Sequence, residues 1–220
     1  MGIRTHEVHA SLVHAPLTLI PLAAVVELSA ALRSVSVQQR SLDRLGANLW
    51  LAAGLGTTAA GVTGLAASQQ VHYPTSTAHD MTFVHALGNA TVLAGVLGLA
   101  TWRRSHSAGW GSSFAGFAIT AASVYTAYLG GEMVYQHQVG VEGMDHPEAQ
   151  RRSPPLLSAA APIRLLTDAV RGIRWLLGRA LSARREGLSR QAMGLPAEGL
   201  VLGVASPFDL QREAAEAWRG

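Results

Sequence analysis

Four long apolar stretches alternate with short polar connections along the chain. They run over about Ala15–Leu32, Leu45–Ala67, Met81–Trp102 and Ser113–Val134, and none carries Lys or Arg before its terminal residues. A hydrocarbon core of roughly 30 Å takes about 20 helical residues to cross, and each stretch has that length or nearly so. The residues do not alternate as strands would, and barrel strands are about half this length. Short connections make consecutive helices antiparallel. The pattern therefore predicts an all-α integral membrane protein with an up-down-up-down four-helix bundle. Gly56, Ala60 and Gly64 recur at every fourth residue, as do Ala90, Ala94 and Gly98. Such small-residue ridges let membrane helices approach closely. Pro16, Pro21 and Glu27 inside the first stretch favour a membrane helix over a cleaved leader.

The pattern changes after His146-Pro147. Residues 1–147 form the predicted bundle and 148–220 a C-terminal tail that opens with a linker, Arg151-Arg152-Ser153-Pro154-Pro155. Over about 162–185, Ile163, Leu166, Val170, Ile173, Leu177 and Leu181 fall on one helical stripe, with Arg164, Arg171 and Arg179 off it. This predicts an extramembrane amphipathic helix, too charged to span, that lies in the interface or docks on a partner. Another short helix is expected over Pro207–Trp218.

The basic residues are all Arg, 6 against 7 acids in residues 1–147 and 11 against 7 in the tail. The pI near 9.9 thus belongs to the tail. No aromatic-interleaved basic motif accompanies it, so nucleic acid is not an expected partner. Arg33, Arg40, Arg44, Arg103 and Arg104 lie in the first and third connections, which predicts that these face the cytoplasm. The N-terminus, the second connection and the tail then lie outside a bacterial inner membrane. Glu27, within the first stretch, is expected to reach the interface or pair with Arg44.

Nine histidines stand out in so apolar a chain. In an antiparallel bundle His9, His14, His72, His79, His85 and His137 all come to one end. His6 and His146 lie near that end, and His106 lies at the other. There is no Cys, which excludes disulfides, thiolate metal sites and iron–sulfur ligation by this chain. A His cluster at the end of a bundle suits axial ligation of haem b, a Zn, Cu or Fe site, or proton relay beside a quinone. His14, His85 and His137 are the foremost candidates for haem iron, with His9, His79 and His72 in reserve. Glu132 and Tyr135 are candidates to orient a ligand imidazole.

Two segments resemble a known family. Val8-His9-Ala10-Ser11-Leu12-Val13-His14-Ala15-Pro16 resembles the opening "H-P-x-x-V-H-F-P" of the bacterial membrane proteins grouped as domain of unknown function 2231. The run from Gly130 to Val141, GGEMVYQHQVGV, resembles its closing "G-G-x-L-V-Y-x-H-G-V-G-V". His79 and His85 match a looser third region, and the resemblance covers about residues 8–142. Ala10 stands at the family's Pro, Ala15 at its aromatic and Gln138 at its Gly. The resemblance implies a layout like four-span b-type cytochromes and a redox setting, since some members are joined to Rieske-type domains.

These readings converge on a haem-b-binding electron-transfer subunit of a respiratory or photosynthetic complex, with no catalysis of its own. Its expected partners are the lipid bilayer and other membrane or periplasmic redox subunits. The alternatives are a cofactor-free structural or assembly subunit and a His-cluster metal or quinone site. Transport is the weakest reading, since there is no inverted repeat or pair of broken helices.

Overall fold

A computed structural model describes residues 4–33, 36–140, 154–186 and 193, and all regular structure among them is helical. The helices are α1 (Glu7–Leu12), α2 (His14–Ala31), α3 (Val37–Ala67), α4 (Ser76–Arg103), α5 (Trp110–Tyr135) and α6 (Ala161–Glu186). His146, most of the linker and the expected Pro207–Trp218 helix lie outside the described residues.

The first apolar stretch coincides with α2 to within a residue at each end, and the other three sit within longer helices, two of them started by polar caps ahead of the apolar residues. Ser36 caps α3 by accepting a hydrogen bond from the Gln39 amide at 3.1 Å, and Thr75 caps α4 in the same way from Ala78. The helical ladder breaks at Val13. Pro16 has no N–H to give to the Leu12 carbonyl, yet Val13 keeps helical angles and α1 runs on into α2. Three runs are long and apolar enough to cross a membrane: Glu7–Ala31, Val37–Ala67 and Ser76–Arg103. In α5, Ser, Thr, Tyr and Gly dilute the apolar residues.

The helices α2 to α5 pack in a ring. Each contacts its sequence neighbours, and α5 closes back onto α2. The core holds Ile20, Ala23 and Ala24 of α2, Trp50 and Ala53 of α3, and Val92, Val96, Leu99 and Ala100 of α4. Small residues set the spacing. A Cβ on Gly116 would lie 3.0 Å from the Trp50 ring, and one on Gly56 would lie 3.4 Å from Ala15. The Gly56/Ala60/Gly64 ridge therefore meets α1 and α2 as expected. The Ala90/Ala94/Gly98 ridge does not pack, because that face of α4 is exposed. Gly88 and Gly95 make the close approach instead, against Thr126 and Ile119 of α5.

At the end opposite the His-rich one, Glu27 is fully buried. Its partner is Arg103, at 2.8 Å, and not Arg44. Arg103 also binds Asp43 at 2.8 Å and donates to the His106 carbonyl. Asp43 accepts from the Ala108 amide, so this network ties α2, α3, α4 and the turn into α5.

The amphipathic helix α6 docks on the ends of α3 and α4. Thr5 donates to Gln70, Gln70 donates to Asp168, and Arg164 and Arg171 flank Asp168 at 3.0 Å each. Thr5, Gln70 and Asp168 are all buried. Gly172 meets the Leu65 carbonyl so closely that a Cβ would collide with it. Arg179 binds Asp80 at 2.8 Å.

Candidate functional site

Two histidines enter the helix packing at the His-rich end. His9, on α1, lies against α3 with Nδ1 2.9 Å from the Ala60 carbonyl. A carbonyl can only accept, so Nδ1 carries the proton and Nε2 keeps its lone pair. The ring rests where Gly64 has no side chain, and a Cβ there would lie 2.8 Å from His9 Cε1. His85, on α4, repeats the arrangement against α5. Its Nδ1 lies 2.8 Å from the Thr126 carbonyl, and its Cε1 would be 3.1 Å from a Cβ on Gly130. Asn89, one turn on from His85, places its amide nitrogen 3.0 Å from His85 Nε2 and accepts from the Thr126 hydroxyl.

A layer of aromatic rings lies at the same end. The His79 ring meets Tyr73 at 5.1 Å and Trp175 of α6 at 5.3 Å, both edge to face. Trp175 also meets Phe83. Burial holds the Tyr73 phenol above its ordinary pKa, partly offset by a hydrogen bond with Thr82, and the hydroxyl donates to the Ser68 carbonyl.

The other histidines are placed differently. His14 is exposed and reaches only the Ser11 carbonyl, at 3.2 Å. His137 is half-buried in the turn that closes α5, and His72 is half-buried beyond α3. In that closing turn Gln138 has φ 54, the left-handed conformation that glycine adopts most easily. A glycine would meet this backbone need freely; Gln138 meets it under strain. His106 stacks on Trp102 at the opposite end. Glu132 and Tyr135 bond no imidazole among the described residues; the Ala60 and Thr126 carbonyls orient the rings instead. No group of three or more His, Asp or Glu could hold a metal ion among those residues. Asn89 and Thr126 escaped notice in the sequence. The available signal was an amide one turn from a histidine within an apolar stretch.

Long apolar helices with outward-facing Leu, Val and Phe define a membrane protein. The chain belongs to the family described as predicted membrane protein, domain of unknown function 2231, whose model matches residues 5–143. No curated protein and no solved structure shows significant similarity to it.

Proposed function

We propose that this chain is a haem-b-binding electron-transfer subunit, with His9 and His85 as the iron ligands and α2 to α5 as its four membrane spans. The supporting observation is the repeated histidine geometry. Each ring gives its Nδ1 proton to a helix carbonyl and rests over a glycine, which leaves Nε2 in the form an iron ligand needs. Haem b held there would supply one-electron transfer through its iron. The chain's own residues fix the tautomer through Ala60 and Thr126 and surround the site with apolar helices. Ligation at His85 requires the Asn89 amide to release Nε2. Of the histidines first favoured on sequence, His85 is kept and His14 and His137 give way to His9.

A second reading, a cofactor-free assembly subunit, is favoured by one contact. Asn89 already satisfies His85 Nε2 and closes a hydrogen-bonded network between α4 and α5. A reduced-minus-oxidised visible spectrum of haem-supplied, detergent-purified protein separates the two. A Soret peak with a sharp α-band is expected. It should be lost in His9→Ala and in His85→Ala and kept in His14→Ala and His137→Ala. Folded wild-type protein without these bands overturns the haem reading. Bands that survive His9→Ala overturn the ligand assignment alone.

A further inference from the structure

The helix α6 divides into three sectors at helical spacing. Asp168, Ala169 and Gly172 face the bundle and are buried. The row Ile163, Leu166, Val170, Ile173, Leu177 and Leu181 points away from it, each residue 46% to 77% exposed. Between these two sectors, on the remaining side, lie Arg164, Arg171 and Arg174. The stripe that would be expected to bury itself in the protein is therefore the one left uncovered, while a polar and small-residue face makes the docking contact.

We propose that α6 is an interfacial helix, whose apolar row enters the acyl-chain edge of an anionic phospholipid leaflet while its Arg row meets the headgroup phosphates. Three observations favour lipid over a protein partner. The helix docks at the ends of α3 and α4, two runs long enough to cross a membrane, so it lies at the level where such helices leave the hydrocarbon. Tyr73, His79 and Trp175 form an aromatic layer at that same level, and Trp and Tyr favour the membrane interface. The charge is complementary as well. Arg164 and Arg171 share one buried acid, Asp168, so the row of three arginines keeps a net positive charge. A helix that is apolar on one side and Arg-rich on another lies in the interface plane and binds anionic lipid.

The absence of Cys permits a direct test with the full chain in phosphatidylcholine–phosphatidylglycerol vesicles. Leu177→Cys and Ile173→Cys, each carrying a fluorophore, should lose emission to nitroxide-labelled acyl chains and be shielded from iodide. A label at Thr167→Cys, on the Arg side, should show the reverse. Iodide quenching at Leu177 and Ile173 overturns the proposal. So does shielding from both quenchers, or a disulfide between two chains of unlabelled Leu177→Cys, since these place protein on the row. For the headgroup contact, Arg171→Gln/Arg174→Gln should retain fewer phosphatidylglycerol molecules than wild type in native mass spectrometry. Equal numbers overturn that part.

Discussion

The buried Glu27–Arg103 pair shows how far a single residue's partner can lie from any local pattern. Glu27 stands out in the sequence as an acid inside an apolar stretch, and Arg103 as a topology marker at the end of another. Nothing in their spacing joins them. They meet because α2 and α4 both pack on α3, and because Gly46 leaves room, a Cβ there lying 3.3 Å from the Glu27 carboxylate. Desolvating two charges costs several kcal/mol per ion, so the pair is sensitive to the loss of either partner. Arg103→Met leaves the Glu27 carboxyl group buried without its counterion, and should destabilise the folded protein by about 3–5 kcal/mol. Asp43 is less affected, because it is partly open to water. The double variant Glu27→Leu/Arg103→Met should recover most of that loss. Unfolding curves in detergent for the wild type and both variants provide the check. A double variant no better than Arg103→Met would show that the contacts to Asp43 and the His106 carbonyl, not the buried charge, carry the effect.

At the scale of elements, apolar runs of about 20 residues locate helices well, since nothing but a helix satisfies the backbone across such a length of lipid. All four stretches match observed helices, the first to within a residue at its end. The faces were harder to read. A small-residue ridge predicts close approach only on the side where a neighbour lies, and the Ala90/Ala94/Gly98 side of α4 has none. The tail helix was legible in its extent and its stripe. Its docking face was not, because that face is built from a glycine, small residues, one Trp and a buried polar chain and not from the apolar stripe. Gly172 is the narrowest point of this contact. Gly172→Val should push α6 away from the Leu65 carbonyl, at roughly 1–3 kcal/mol of overpacking strain. Hydrogen exchange is the measurement. The amides of α6 should lose protection about tenfold or more, while those of α3 to α5 keep theirs. Equal protection in both proteins would mean that the Thr5–Gln70–Asp168 chain anchors α6 without the close approach.

Across the whole molecule, the ring of α2 to α5 constrains how the helices can sit in a bilayer. Helix α5 is not among the three runs apolar enough to cross on composition, yet it packs along both α2 and α4. Its 26 residues extend about 39 Å at 1.5 Å per residue, enough to pass through the hydrocarbon beside them. Its buried positions include Ser112, Gly116, Ser123 and Thr126, while Phe114, Phe117, Val124 and Tyr128 face outward. Polar groups turned toward neighbouring helices and apolar ones turned away are what a spanning helix needs in lipid, where an unpaired hydroxyl has no water to meet. The Ser and Thr side chains return to carbonyls of α5 itself or of the turn before it, as Ser113 does to Gly109 and Thr120 to Gly116. The four-span proposal puts the turn at residues 104–109 and the end of α5 on opposite sides of the membrane, and the arginine bias puts Arg103 and Arg104 on the cytoplasmic one. A phosphatase reporter active only outside the cytoplasm, fused after Ser107, should be silent, and the same reporter fused after Gly140 should be active. Activity in both fusions, or in neither, would mean that α5 does not cross. The closing turn with His137 would then share a side with Arg104, away from His9 and His85, which the crossings of α2 and α3 already bring to one face.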